Sequence, residues 1–190
     1  MVKNIGLDRP LGAGGAGSRP VAAAIALGGN LGDSRQILTE AIGAIAASAG
    51  ITLVRRSHFY KTAPVGPPQP DYLNACITVE TTRSPRSLLH QLLRIENQFG
   101  RVRTLRWGAR SLDLDLLLFG DYITDTPGLT VPHPRLHERP FVLVPLRDVA
   151  PHWQHPILHK RVDQLLAQHI VSGSVPGVER LFSPIVSTQV

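Results

Sequence analysis

LDLDLLLF, at residues 112–119, is the stretch of sequence that decides the fold. Side chains alternate between the two faces of a β-strand, so Leu112, Leu114 and Leu116 are expected to share one face. Asp113 and Asp115 then share the opposite face. The alternation therefore predicts a strand that packs leucines into a core on one side and presents two neighbouring carboxylates on the other.

The segments on either side of this strand predict a mixed α+β domain. Apolar runs and alternation predict strands over residues 21–27, 51–60 and 72–82, while helical spacing predicts helices over about 33–49 and 84–100. The resulting order is βαββαβ, which is typical of a ferredoxin-like α+β sandwich with two helices on one sheet face. Two additional short C-terminal helices are predicted over 141–149 and 162–169.

The chain length and composition predict one globular domain. The 190 residues are 43% hydrophobic and 18% charged, which excludes an intrinsically disordered chain. We expect a flexible N-terminal tail over 1–20, where five glycines and two prolines interrupt any apolar period. A single domain over 21–170 and a C-terminal extension over 171–190 complete the predicted organisation.

Composition also indicates the compartment and excludes several classes of partner. No apolar run is long enough to span a bilayer, and the N-terminus lacks the apolar segment of a secretory signal. The single cysteine, Cys76, excludes an intramolecular disulfide and a cysteine-based zinc site. These features predict a cytoplasmic protein with no membrane partner.

Asp113 and Asp115 are the first candidates for chemistry. Two adjacent carboxylates repel each other and need a cation or an arginine nearby to remain ionised. Carboxylate oxygens suit Mg²⁺, which proteins usually hold with one or two carboxylates plus substrate phosphates. The alternative is a solvent-facing pair on an edge strand.

A basic segment directly precedes this pair. Residues 97–112 contain four arginines and no acid, and Trp107 lies among them. Arginine next to a metal site is what a polyphosphate substrate requires, so the segment is interpreted as a phosphate-binding loop. A solvated basic loop and a nucleic-acid patch are the alternatives. The aromatic content of 5% disfavours the nucleic-acid patch, and no nucleic-acid partner is expected.

Other motifs carry weaker signals. Tyr72 and Asn74 share a strand face and are suited either to bind a flat heterocycle or simply to pack at a strand start. The segment 28–33, GGNLGD, lacks the lysine of a phosphate-binding P-loop and the Rossmann spacing, so it is interpreted as a tight backbone turn. His133 lies between two prolines, which disfavours zinc binding with His137 and leaves a role as a phosphate donor.

Taken together, these motifs resemble the 6-hydroxymethyl-7,8-dihydropterin pyrophosphokinase family of folate biosynthesis. The resemblance covers residues 24–153. It is carried by IALGGNLGD (25–33), FYKTAPVG (59–66), QPDYLNA (69–75), GRVRTLRWGARSLDLDLLLFG (100–120) and LTVPHPRLHERPFVL (129–143).

The resemblance implies transfer of diphosphate from ATP to the hydroxymethyl group of a reduced pterin, with release of AMP. It also implies two Mg²⁺ ions on Asp113 and Asp115, and a monomer acting on small molecules. The implied catalytic residues are Arg101, Arg110, Asp113 and Asp115. The implied ATP contacts are Glu96, Arg101, Arg103, Trp107, Arg110, Thr130, His133 and Arg139. The implied pterin contacts are Thr62, Val65, Tyr72, Asn74, Trp107, Asp113 and Phe141.

Two other classes of function have a basis in the residues. A nucleotidyltransferase can also use a strand with paired aspartates, and it would release pyrophosphate instead of AMP. A small RNA-binding module of similar topology would need exposed aromatic side chains on its central strands, where only Tyr72 is in a suitable place.

Overall fold

A computed structural model describes residues 19–64, 68–100 and 109–181. The strands are β1 (Val21–Gly29), β2 (Ile51–Arg56), β3 (Phe59–Thr62), β4 (Tyr72–Thr81), β5 (Asp113–Phe119), β6 (Thr124–Thr126), β7 (Leu129–Val131) and β8 (Val178–Leu181). The helices are α1 (Ser34–Ala46), α2 (Pro85–Gln98), α3 (Pro140–Val149) and α4 (Val162–Ala167). The chain is thus a mixed α+β protein, as the order of sequence patterns predicted.

Six of the strands form one antiparallel sheet. Strand β1 lies between β5 and β4, while β2 and β3 both pair with β4 and β8 pairs with β3. Strands β6 and β7 form a separate hairpin. The central position of β1 brings the ends of β4 and β5 next to each other across a single strand, and this arrangement positions the candidate site.

Each face of the sheet carries its own apolar core. On one face, Leu112, Leu114 and Leu116 pack with β1 and with the buried sides of α1 and α2, as the alternation of LDLDLLLF predicted. On the other face, Leu117, Cys76, Ala24 and Ala26 pack against α3 and α4. The carboxylate side of β5 therefore faces α3.

Local signals in the sequence explain where the two long helices begin. The Asp33 side chain accepts a hydrogen bond from the backbone N–H of Gln36 at 3.0 Å. The Ser84 hydroxyl accepts one from the backbone N–H of Ser87 at 3.2 Å. Such caps satisfy backbone donors that have no partner within the helix.

The predicted strand over 51–60 is wrong in one respect, because the chain forms two strands with a break at Ser57. Its backbone N–H donates to the carbonyl oxygen of Cys76, and its hydroxyl accepts from the Cys76 N–H, both at 2.9 Å. A side-chain oxygen replaces a backbone acceptor there, so the chain leaves the regular ladder and resumes it as β3.

The structure also contains elements that the sequence patterns did not predict. Strand β8 belongs to the segment expected to be a C-terminal extension, and it is the edge strand beside β3. The β6–β7 hairpin was not predicted because its strands have only three residues each. No helix within the described ranges is long and apolar enough to cross a membrane.

Candidate active site

A cavity of about 360 Å³ lies between the carboxylate face of the sheet and the N-terminal end of α3. It is lined by one polar end of the sheet and by side chains from the segment that leads into α3. The lining residues are Ala26, Leu27, Gly28, Thr62, Ala63, Tyr72, Asn74, Arg110, Asp113, Asp115, Arg135, Arg139, Phe141 and Val142.

The register of three strands brings the predicted site residues together. Gly28 of β1 is paired with Asn74 of β4 on one side and with Asp113 of β5 on the other. A Cβ atom at Gly28 would lie 3.1 Å from the amide oxygen of Asn74. Glycine at position 28 therefore leaves the cavity open between the two polar strands. The turn predicted over 28–33 begins later than expected, after β1 ends at Gly29.

Asp113 is paired with the arginine that comes just before β5. The distance from Arg110 Nη1 to Asp113 Oδ2 is 2.8 Å, and both side chains are about three-quarters buried. Burial by itself would lower the pKa of Arg110, but its interactions with Asp113 and Tyr72 together outweigh that effect and raise the pKa. Arg110 and Asp113 thus form a preorganised ion pair at the edge of the cavity.

Asp115 has two basic neighbours from the segment that leads into α3. Its Oδ2 lies 3.4 Å from Arg139 Nη1 and 3.8 Å from His133 Nε2. Burial and the nearby Asp113 raise the pKa of Asp115, despite these neighbours. Burial also lowers the pKa of His133. The site therefore holds two close carboxylates whose repulsion the surrounding cations only partly offset.

Another part of the cavity is lined by aromatic rings and an amide. Tyr72 and Phe141 both line it, and the Arg139 guanidinium lies 5.9 Å from the centre of the Phe141 ring. The Asn74 amide donates to the Thr62 hydroxyl at 2.8 Å, which fixes its orientation at a buried position. Two rings and an oriented amide are suited to bind a flat, hydrogen-bonding heterocycle.

The donor set fits Mg²⁺. Within the described residues, no group of three or more histidine, cysteine or acidic side chains forms a complete metal cage. Mg²⁺ rarely uses such a cage and is usually held by one or two carboxylates together with substrate phosphates. Asp113 and Asp115 supply that pair of carboxylates at the wall of a cavity large enough for a substrate.

Three of the predicted ATP contacts among the described residues do not line the cavity: His133, which lies beside Asp115, and Glu96 and Thr130. Glu96 is 1% exposed, and its carboxylate accepts the backbone N–H of Leu114 at 2.7 Å, which ties α2 to β5. The Thr130 hydroxyl donates to Asp125 at 2.9 Å within the β6–β7 hairpin. Their roles toward ATP remain predictions, as do those of Val65, Arg101, Arg103 and Trp107, which lie outside the described residues.

Sequence analysis missed several residues of the site. Arg135 and Ala63 line the cavity. Asn30, directly after β1, forms hydrogen bonds with two segments that border the cavity, at Pro70 and at Arg110. Arg135 had a signal in the sequence, since it lies between His133 and Arg139 in PHPRLHER. Asn30 had none, because its partners are distant in the chain.

Comparisons with known proteins agree on one family. The model of the family described as 7,8-dihydro-6-hydroxymethylpterin-pyrophosphokinase (HPPK) matches residues 24–151. A 2-amino-4-hydroxy-6-hydroxymethyldihydropteridine pyrophosphokinase of Synechocystis is 47% identical over 160 residues, which is 83% of this chain and 82% of that protein. The Haemophilus influenzae enzyme of the same name is 50% identical over 131 residues, covering 68% and 82% of the two chains.

Solved structures show a similar fold at low sequence identity. The wild-type HPPK-DHPS crystal structure of Plasmodium falciparum superposes with a TM-score of 0.70 at 13% identity, covering 89% of this chain and 50% of that one. Its complex with pteroate gives a TM-score of 0.70 at 13% identity, covering 87% and 48%. The present chain thus spans about half the length of these structures.

Proposed function

The chain belongs to the 7,8-dihydro-6-hydroxymethylpterin-pyrophosphokinase family and transfers pyrophosphate from ATP to hydroxymethyldihydropterin in folate biosynthesis, and we propose that the cavity between Asp113, Asp115 and Phe141 is where it does so. The observation that carries this proposal is the division of one cavity into two halves. A charged half suits a polyphosphate, and an aromatic half suits a pterin.

The charged half binds the triphosphate of ATP. Arg110 pairs with Asp113 and Arg139 pairs with Asp115, and His133 lies beside Asp115. Phosphoryl-type transfer depends on positioning and on neutralising charge more than on covalent chemistry, and these side chains provide both. When bound with ATP at Asp113 and Asp115, Mg²⁺ supplies further neutralisation of the triphosphate charge.

The aromatic half orients the acceptor. Tyr72 and Phe141 hold the pterin ring, and the Asn74 amide, fixed by Thr62, recognises its hydrogen-bonding edge. The hydroxymethyl oxygen then faces the charged half, where it attacks the β-phosphorus. The bond from the β-phosphorus to the oxygen bridging to the α-phosphorus breaks, and AMP leaves with that oxygen.

The described lining residues favour direct transfer without a covalent enzyme intermediate. The Thr62 hydroxyl is engaged by Asn74. The Cys76 thiol is fully buried away from the cavity, and burial raises its pKa. The carboxylates of Asp113 and Asp115 are the groups suited to accept the hydroxyl proton as the new bond forms.

We assign the sandwich to the ferredoxin-like βαββαβ type, with β2 and β3 together acting as its second strand. The support is the antiparallel order β5-β1-β4 followed by β2 and β3, with α1 and α2 packed on one face. Helices α3 and α4 then add a second layer on the opposite face.

Product analysis tests the proposed reaction. The protein is mixed with ATP, Mg²⁺ and 6-hydroxymethyl-7,8-dihydropterin, and the nucleotide and pterin products are separated. AMP and a diphosphorylated pterin in equal amounts are expected. Release of pyrophosphate with an adenylylated acceptor would instead identify a nucleotidyltransferase and overturn the proposal.

A further inference from the structure

Asn30 lies at the end of β1, outside the set of residues that line the cavity, and is 5% exposed. Its amide nitrogen donates to the carbonyl oxygen of Pro70 at 2.9 Å and to Gln69 Oε1 at 3.1 Å. Its amide oxygen accepts the backbone N–H of Arg110 at 2.9 Å. One buried side chain therefore joins two segments that are 40 and 80 residues away in sequence.

The backbone of Asn30 strengthens the same connection. Its N–H donates to the carbonyl oxygen of Arg110 at 2.9 Å, so Asn30 and Arg110 exchange two hydrogen bonds. A Cβ at the preceding Gly29 would collide with the carbonyl of Ser111. The chain leading into β5 is thus held closely against the end of β1 at the point where Arg110 enters the site.

The hydrogen bonds of Asn30 continue into both halves of the cavity. On the aromatic side, Gln69 Oε1 also accepts from the Tyr72 hydroxyl at 3.4 Å. On the charged side, Arg110 pairs with Asp113 at 2.8 Å. Its guanidinium also interacts with Tyr72. Tyr72, Gln69, Asn30 and Arg110 therefore form a continuous path between the pterin ring position and the phosphate position.

Asparagine is chemically specific for this place. The contacts require two donors and one acceptor on a short side chain, and a primary amide provides them. Aspartate would keep the acceptor for the Arg110 N–H but lose both donors. Alanine would leave three polar groups without their present partner, in hydrogen bonds that are now part-buried.

We propose that Asn30 is a positioning residue that couples pterin binding to phosphate binding. Binding of the pterin against Tyr72 orders Gln69 and Asn30. Asn30 then holds the backbone of Arg110, and this fixes the Arg110 guanidinium on the phosphates. Coupling of this kind is reciprocal, so bound ATP also strengthens pterin binding. The inference rests on the proposed function, because it assigns Tyr72 and Arg110 to the two substrates.

Paired binding measurements test the coupling. The pterin dissociation constant is measured by calorimetry with and without a saturating, non-transferable ATP analogue carrying a methylene group between the α- and β-phosphates, in Mg²⁺. Wild-type protein is expected to bind pterin more tightly when the analogue is present. In the Asn30→Ala variant, the factor by which the analogue increases pterin affinity is expected to be about tenfold smaller. Its pterin affinity without the analogue should change much less.

Matched variants separate positioning from general destabilisation. Thr81→Val removes the hydrogen bond from a buried hydroxyl to the Gly50 carbonyl at the far end of β4. It should lower stability and leave the coupling intact. Asn30→Asp should lose most of the coupling. Gln69→Ala, on a less buried loop, should lose part of it even if Asn30→Ala fails to fold.

The outcomes distinguish the two proposals. If wild-type protein releases no AMP from the three reactants, the proposed function fails. If wild-type protein is active but shows no coupling, or if Asn30→Asp and Gln69→Ala retain all of it, the role of Asn30 is overturned and the function stands.

Discussion

Two clusters of polar side chains, each built around aspartate, lie on the same face of the sheet, and their surroundings differ. Asp113 and Asp115 line a cavity of about 360 Å³ and have arginines beside them. Asp148 of α3 instead accepts three hydrogen bonds on one oxygen, from the backbone N–H of His58 at 3.2 Å, His58 Nδ1 at 2.9 Å and the Tyr60 hydroxyl at 2.8 Å.

The second cluster joins structural elements to one another. Asp148 connects α3 to β3, and the His58 ring also contacts Arg180 of β8. The acceptor oxygen of Asp148 is satisfied by donors within the protein. The cluster is therefore a stable connection with little capacity to bind a ligand. The first cluster keeps two mutually repelling carboxylates at a cavity wall. This difference predicts that substitutions in the first cluster affect activity and that substitutions in the second affect stability.

Asp115→Ala should have the largest effect. Turnover should fall by at least about 10³-fold, because the substitution removes half of the proposed Mg²⁺ site and its charge stabilisation. The melting temperature should stay the same or rise, since burial and Asp113 already disfavour this charge. Steady-state kinetics and thermal unfolding measure the two effects.

The control is Asp148→Asn. It should destabilise the protein by about 2 kcal/mol, through weaker hydrogen bonds to His58 and Tyr60, and leave turnover near the wild-type value. Near-normal activity of Asp115→Ala in Mg²⁺ would contradict the metal assignment.

Arg110→Ala should have the next largest effect. The guanidinium lies 2.8 Å from Asp113, and we expect it to stabilise charge that develops on the phosphates. The single-turnover rate should fall by about 10²-fold, while pterin affinity measured without nucleotide changes by a smaller factor. Rapid-quench measurements give the rate, and an unchanged value would show that the arginine has no part in transfer.

Phe141→Ala should mainly weaken pterin binding. Loss of an aromatic ring from the apolar half should raise the pterin dissociation constant about tenfold, and Tyr72→Ala should act in the same direction. Fluorescence or calorimetric titration measures this change. A defect in turnover with unchanged pterin affinity would place the ring outside the pterin site.

Tyr60→Phe should have the smallest effect and should depend on pH. Burial and the hydrogen bond to Asp148 raise the pKa of Tyr60 to about 12 from its ordinary value of 10.0. A raised pKa means that the folded state favours the protonated phenol. Its contribution to stability is therefore fully present below pH 10.0 and is lost as the pH rises through about 12.

Chemical denaturation at about pH 8 and at higher pH tests this assignment. The variant should be about 1.5 kcal/mol less stable than wild type near pH 8, and the difference should shrink as the pH rises toward 12. Turnover should not change. A difference that stayed constant with pH would show that the phenol proton is not what stabilises the connection to Asp148.

Much of the site was predictable from local sequence, because strand alternation depends only on neighbouring residues. LDLDLLLF predicted that Asp113 and Asp115 share a face opposite Leu112, Leu114 and Leu116, and the structure confirms this. The same alternation predicted a shared face for Tyr72 and Asn74, and both side chains line the cavity. The place of Phe141 beside them came from family resemblance rather than from periodicity.

Tertiary structure alone decided how these pieces meet. The pairing of Gly28 with both Asn74 and Asp113 determines the distance between the two halves of the cavity, and no local pattern encodes it. The break at Ser57 and the pairing of β8 with β3 likewise depend on partners far along the chain. Alternation and capping are short-range consequences of backbone geometry, whereas register and buried hydrogen bonds such as those of Asn30 arise only when distant segments pack together.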